Sequence, residues 1–171
     1  MPRYVAFLRG VSPGNASMPM LKRAFEQAGF GDVRPLLSSG NLAFDSGLRA
    51  AAALQARAET ALLELLGRRF LTIVRPQATL ARLIAADPFA SHALPAGAKR
   101  VVTFLRARTS DRLRLPPPAD GVHVLASTGM EIFTAYQPHP RGPVFMSVIE
   151  KLLGNEQTTR TWDTVRKCAS A

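Results

Sequence analysis

Between residues 3 and 74 the chain reads as strand, helix, strand, strand, helix, strand, and few folds satisfy that order. Tyr4, Ala6 and Leu8 alternate with Val5 and Phe7, the period of a strand. Ser17 stands where a helix N-cap belongs, and Pro19 is tolerated in a first turn. Leu21, Ala24, Phe25 and Ala28 then fall on one helical face, and Gly29 stops the helix. Val33 to Leu37 is extended. Pro35 brings no backbone donor, so this strand belongs at a sheet edge. Ser38-Ser39-Gly40-Asn41 turns the chain into a third strand, Leu42 to Phe44. A helix from about Leu48 to Leu66 buries Leu54, Ala58, Ala61, Leu62 and Leu65 and closes at Gly67. A fourth strand runs from Phe70 to Val74. The order predicts α+β architecture with a ferredoxin-like, split βαβ first half.

The first half spans residues 1–76, ending at Arg75-Pro76. Residues 77–171 form a second, related α+β half. There 78–86 reads as a helix, Lys99 to Arg108 as a strand, and Thr109 to Gly121 as a stiff loop around Pro116-Pro117-Pro118. Val122 to Ala126 and Glu131 to Tyr136 are strands, Val144 to Leu153 is a helix, and a short final helix carries Trp162. No repeat is visible at the level of sequence, and no low-complexity linker separates the halves.

Charge is the strongest global signal. The chain carries 22 Lys and Arg against 12 Asp and Glu, a formal net charge of +10. Residues 1–76 hold 10 basic and 5 acidic side chains, and residues 77–171 hold 12 and 7, so each half stands at +5. A field of this sign attracts nucleic acid or phosphorylated ligands. Since 18 of the basic residues are Arg and 4 are Lys, codon bias accounts for the excess equally well. No apolar run approaches the ~18 residues of a membrane helix. With a single cysteine, Cys168, and a strand beginning at the N-terminus, a cytoplasmic protein is expected, as a monomer or homodimer, without membrane association.

Gly10-Val11-Ser12-Pro13-Gly14 matches the Gly-x-Ser-x-Gly pattern of a hydrolase nucleophile elbow. The residue after the nucleophile must donate its N–H to the oxyanion hole, and Pro13 has none. The match is accidental. Phosphate-loop, dinucleotide and zinc-protease signatures are absent, and no Cys/His set has metal-ligand spacing, so neither metal nor cofactor is expected. His92, His123 and His139 are far apart. Asp45, Glu131, Asp163 and His139 remain as catalytic candidates by elimination only.

Topology suggests a site. The first and second strands of a split βαβ unit run parallel, so the loop after one and the turn after the other open at one sheet edge. That places Arg9, Gly10 and Asn15 near Ser38, Ser39, Gly40 and Asn41, beside the start of the first helix. A guanidinium, hydroxyls, amides and a helix N-terminus together suit an anion. Ordinary turn chemistry and capping explain the same residues. The run from Lys99 to Arg114, with Arg100, Arg106, Arg108 and Arg112, adds diffuse attraction. Its Val102 and Phe104 are expected in the core rather than on a base-stacking surface.

Phe7-Leu8-Arg9-Gly10-Val11, Met18, Leu21, Gly29-Phe30, Val33, Ser39-Gly40-Asn41-Leu42-Ala43-Phe44, Asp87-Pro88-Phe89 and Thr159-Arg160-Thr161-Trp162-Asp163-Thr164-Val165 resemble the bacterial proteins grouped as domain of unknown function 1697. The resemblance covers nearly the whole chain. It implies two ferredoxin-like halves and no established activity. Family tails usually read Arg-Asn-Trp-Asn-Thr-Val, whereas Thr161 and Asp163 stand here in place of the amides. Trp162 and Val165 have the spacing of a docked helix face, a C-terminal clasp. The expectation is a non-catalytic module binding an anionic partner such as nucleic-acid backbone, with Arg160 joining the ligand-binding set. An enzyme acting on a small phosphorylated or nucleotide-like substrate is the alternative.

Overall fold

The computed structural model describes residues 1–110 and 113–171, and Arg112 of the basic run lies outside them. The chain divides into two compact units, residues 1–85 with 166–171, and residues 86–165.

The first unit contains β1 (Arg3–Leu8), α1 (Met18–Gln27), β2 (Gly31–Leu36), β3 (Asn41–Asp45), α2 (Ala51–Leu66), β4 (Thr72–Pro76) and α3 (Gln77–Ala86, the unit's boundary falling at its last residue). Its sheet has the order β2-β3-β1-β4 with every neighbouring pair antiparallel, the ferredoxin-like arrangement. Local chemistry sets the boundaries. The Ser17 hydroxyl accepts from the Met20 amide at 3.3 Å and starts α1. Gly67 adopts φ 68° and ends α2 in the left-handed conformation that glycine takes without a Cβ clash. Pro35 does lie on an edge strand, β2, where a missing N–H costs no ladder bond on the outer side.

One sheet face carries both helices. Leu21, Ala24 and Phe25 of α1 and Leu54, Ala58, Ala61 and Leu62 of α2 close over Tyr4, Ala6, Leu8, Leu42, Phe44 and Val74. Phe44 is the centre of an aromatic cluster, 4.4 Å from Phe30, 5.5 Å from Phe25 and 5.7 Å from Tyr4 between ring centroids. Each buried ring of this kind contributes roughly 1.5–3 kcal/mol by removal from water.

The second unit contains β5 (Lys99–Leu105), β6 (Val122–Ser127), β7 (Glu131–Tyr136), α4 (Val144–Leu153) and β8 (Gln157–Thr161), and α5 (Trp162–Ala169) begins in it. Its sheet order, β6-β7-β5-β8, reproduces that of the first unit strand for strand. Two differences from the sequence reading stand out. Gln157–Thr161 is a strand, although its polar, Thr-rich run shows no apolar alternation. There is also a repeat after all. Val5-Ala6-Phe7-Leu8-Arg9 on β1 corresponds to Val102-Thr103-Phe104-Leu105-Arg106 on and just past β5.

The hydrogen bonds make the correspondence concrete. The Leu8 amide donates to Gly40 O and the Arg9 amide to Leu71 O, both at 2.9 Å. The Leu105 amide donates to Met130 O at 2.9 Å and the Arg106 amide to Glu156 O at 3.2 Å. The second unit differs at its first crossover. Among the described residues of 106–121 no helix forms, and α4 packs through Phe145 and Ile149 on Val101 and Val122. Phe89, Phe133 and Trp162 meet edge to face, with Trp162 centroids 5.1 Å from Phe89 and 6.4 Å from Phe133.

Candidate functional site

The antiparallel pairings of β3 with both β1 and β2 make β1 and β2 parallel to each other, so their C-terminal ends share one edge of the first sheet. Phe7 pairs with Asn41 and Leu8 with Thr72. The two amide bonds from Leu8 and Arg9 continue the ladder past the end of β1. They set Arg9 between the β2–β3 turn on one side and the α2–β4 connection on the other. The 10–17 loop folds over the turn, because a Cβ built on Gly40 would lie 2.9 Å from Val11 Cγ2. Arg9, Gly10, Asn15, Ser38, Ser39, Gly40 and Asn41 therefore gather at one rim.

Their exposure differs. Gly10, Ser38 and Ser39 are exposed, Arg9 and Asn15 half-buried, Gly40 and Asn41 buried. The amides are committed within their loops. Asn41 Nδ2 donates to Leu36 O at 3.1 Å and to Ser39 Oγ at 2.9 Å. Asn15 Nδ2 donates to Gly10 O at 2.8 Å, and its Oδ1 accepts from the Ser12 amide at 2.9 Å. These side chains hold the shape of the rim. The hydroxyl-bearing side chains of Ser38 and Ser39 are its exposed polar parts.

The same edge receives the end of α2, and this adds two cations that periodicity did not single out. Arg68 and Arg69 follow directly on Gly67, and both are exposed. The Arg68 guanidinium carbon stands 5.2 Å from the centroid of the buried Phe70 ring, a cation–π geometry. Arg69 Nε lies 3.3 Å from Glu59 Oε2. The cluster Gly67-Arg68-Arg69 was the available signal, once the α2–β4 connection is placed at the same edge as Arg9. The other carboxylates of the first sheet sit at its opposite edge. There Arg3 meets Asp45 at 2.9 Å and Asp32 at 3.3 Å, and Arg34 meets Asp32 at 3.2 Å.

The sequence profile of the family described as "Protein of unknown function (DUF1697)" matches residues 1–133. The chain belongs to this family. Among solved structures, this DUF1697 protein is similar to the conserved bacterial protein SP0830 from Streptococcus pneumoniae. The two share 16% sequence identity with a TM-score of 0.70, over 99% of this chain and 97% of that one. At that identity the likeness concerns the fold, two four-stranded antiparallel sheets with helices. No curated protein matches the chain.

Arg160, the remaining residue of the expected ligand-binding set, belongs to the second unit. It lies on β8, 8% exposed, with Nη1 donating to Thr158 Oγ1 at 2.7 Å and to Thr159 O at 2.9 Å. The residues left as catalytic candidates are dispersed. Asp45 is in its ion pair with Arg3. Glu131 is 4% exposed and accepts from the Thr128 hydroxyl. His139 Nδ1 accepts from the Arg141 amide at 3.1 Å, and Asp163 is exposed in the first turn of α5. Ser12 is exposed and followed by Pro13, and no helix begins before Met18, so it has no elbow geometry. On β5, Val102 and Phe104 are fully buried, which removes them as a stacking surface, while Lys99 and Arg100 are exposed. Among the described residues no three His, Cys, Asp or Glu side chains gather as a metal ion would need. No described helix is long and apolar enough to cross a membrane.

Proposed function

We propose that this DUF1697 protein is a non-catalytic module that binds an anionic partner, the phosphodiester backbone of nucleic acid, through the rim of its first unit. The observation that carries the reading is the pair of amide bonds from Leu8 to Gly40 O and from Arg9 to Leu71 O. They bring Arg9, the exposed Ser38 and Ser39, and the exposed Arg68 and Arg69 to one edge, beside the N-terminus of α1. Guanidinium groups suit phosphate oxygens through paired, charge-assisted hydrogen bonds. Hydroxyls and a helix start add donors of the same polarity. Among the described residues Arg68 stands over Phe70 and in no ion pair, so its exposed charge is available to a partner. The net charge of +10 supplies long-range attraction toward such a partner.

The enzyme alternative has less in its favour at this place. A phosphorylated small molecule could use the same cations, but Glu59, the carboxylate that meets Arg69, is engaged in that ion pair.

The test is fluorescence anisotropy with a labelled oligonucleotide of mixed sequence, titrated over a range of salt concentrations. The expected result is binding that weakens steeply with salt, with a log–log slope of roughly −4 to −5 for about five neutralised phosphates. No binding at low salt sinks the reading, as does binding that is indifferent to Arg68→Ala and Arg9→Ala together.

A further inference from the structure

A helix that lies on a sheet ordinarily turns a charged and polar face to water, and α1 does so with Lys22, Arg23, Glu26 and Gln27. The second helix of the same unit differs. On its inner side α2 buries Leu54, Ala58, Ala61 and Leu62. Its outer side carries a second row, Ala53, Ala56, Thr60 and Leu63, all exposed. The spacing of three, four and three residues is that of a seam between two helices. Leu63 is 50% exposed, more than the partly covered leucines Leu65 and Leu66 that follow it. An open groove of about 380 Å³ runs beside the row, between the end of α1 and α2, and Ala56 and Thr60 belong to both.

Charge decides what fits there. The outer side of α2 has two charged residues, Arg57 and Glu64, both exposed and both lining the groove. Among the described residues neither enters an ion pair. Arg57 Nη1 lies beside the turn that ends α1, where a Cβ on Gly29 would stand 3.9 Å from it. The two charges are seven residues apart, about two helical turns, and so flank the row on one side. Thr60 and Ala61 stand midway between them. A second α2 laid antiparallel along the row, about a twofold axis at that midpoint, sets Arg57 of each chain opposite Glu64 of the other. Leu63 then packs near Ala56 of the second chain. A parallel pairing would oppose like charges at both places, so the charges also fix the direction.

We infer that the outer face of α2 is a surface for a second copy of this chain, paired antiparallel through reciprocal Arg57–Glu64 contacts over a seam of Leu63 and Ala56. One pair of 16-residue helices makes a small contact, so a weak, reversible dimer is expected. This face and the rim share no residue, and the inference stands apart from the function proposed above.

Sedimentation equilibrium of the full chain over a series of concentrations tests it. The expected result is a monomer–dimer equilibrium with Kd on the order of 100 µM or tighter. Arg57→Glu and Glu64→Arg should each weaken self-association by about tenfold or more. An equimolar mixture of these two variants should associate again, because every reciprocal contact then joins opposite charges. The chain that carries both substitutions should likewise recover most of the affinity, whereas Leu63→Ser should weaken it. All three positions are exposed, and circular dichroism confirms the fold of each variant. Association weaker than this range, or none, overturns the inference. So does a dimer indifferent to Arg57→Glu or to Leu63→Ser, or a mixture of the two charge variants that stays monomeric.

Discussion

Gly40 and Val11 touch across the rim: a Cβ added to the glycine would stand 2.9 Å from Val11 Cγ2 and 3.0 Å from Val11 Cβ. Gly40 also holds φ 78°, which a side chain resists whatever the space around it. Gly40→Ala is therefore expected to destabilise the chain by roughly 1–3 kcal/mol. Val11→Ala in the same chain removes the contact with Cγ2 but keeps the one with Cβ and the backbone strain, so the double variant should recover only part of the loss. Urea denaturation of the single and double variants measures both quantities.

Asn41 is wholly buried, and its side-chain amide donates to Leu36 O and Ser39 Oγ, closing the β2–β3 turn from inside. Asn41→Ala removes both bonds and leaves Leu36 O short of a donor. A loss of about 1–3 kcal/mol is expected, and more than for Asn15→Ala at its half-buried site. Comparing urea midpoints at unchanged m-value tests the order.

The rim cations should separate binding from stability. Arg68 is exposed and rests on Phe70 alone among the described interactions. Arg68→Ala should move stability by no more than about 0.5–1 kcal/mol, the scale of an exposed cation–π contact. It should also weaken oligonucleotide binding uniformly across sequences and flatten the log–log salt slope by about one. Anisotropy at several salt concentrations reads out the second effect, and thermal unfolding the first.

In the second unit Phe89 is buried with its ring 5.1 Å from that of Trp162, the single tryptophan. Phe89→Ala opens a space beside the indole and is expected to cost roughly 3–5 kcal/mol. Water entering that space should red-shift the Trp162 emission in the native baseline. An unshifted spectrum with unchanged stability would show that the aromatic trio is dispensable.

Most of the first unit can be read without coordinates, because each of its elements is delimited by a residue with one local job. Ser17 starts α1, Gly67 ends α2 and Pro35 marks β2 as outermost. β8 resists such reading. Gln157 to Thr161 is polar at every position, and the β-branched threonines are its only strand signal. The repeat is hidden for a related reason. Val-x-Phe-Leu-Arg is too short to stand out until the shared amide bonds align its two copies. Of the candidate site, the meeting of Arg9 with the Ser38–Asn41 turn follows from topology alone. That Asn41 turns inward depends on its pairing opposite Phe7, which no local pattern encodes. Arg68 and Arg69 escape notice because they follow the glycine that ends a helix, and only the three-dimensional return of β4 beside β1 brings them to the rim.

Pro35, paired with Leu42 on the outermost strand β2, has a bearing on how the protein behaves in a crowded solution. A visiting polypeptide that tried to lengthen the sheet there would find one of its required donors missing. The irregular register between Gly31 and Arg34 would also spoil the alignment of the rest. Fibrillar growth from that flank is thereby blocked at its first step, by a single ring of atoms.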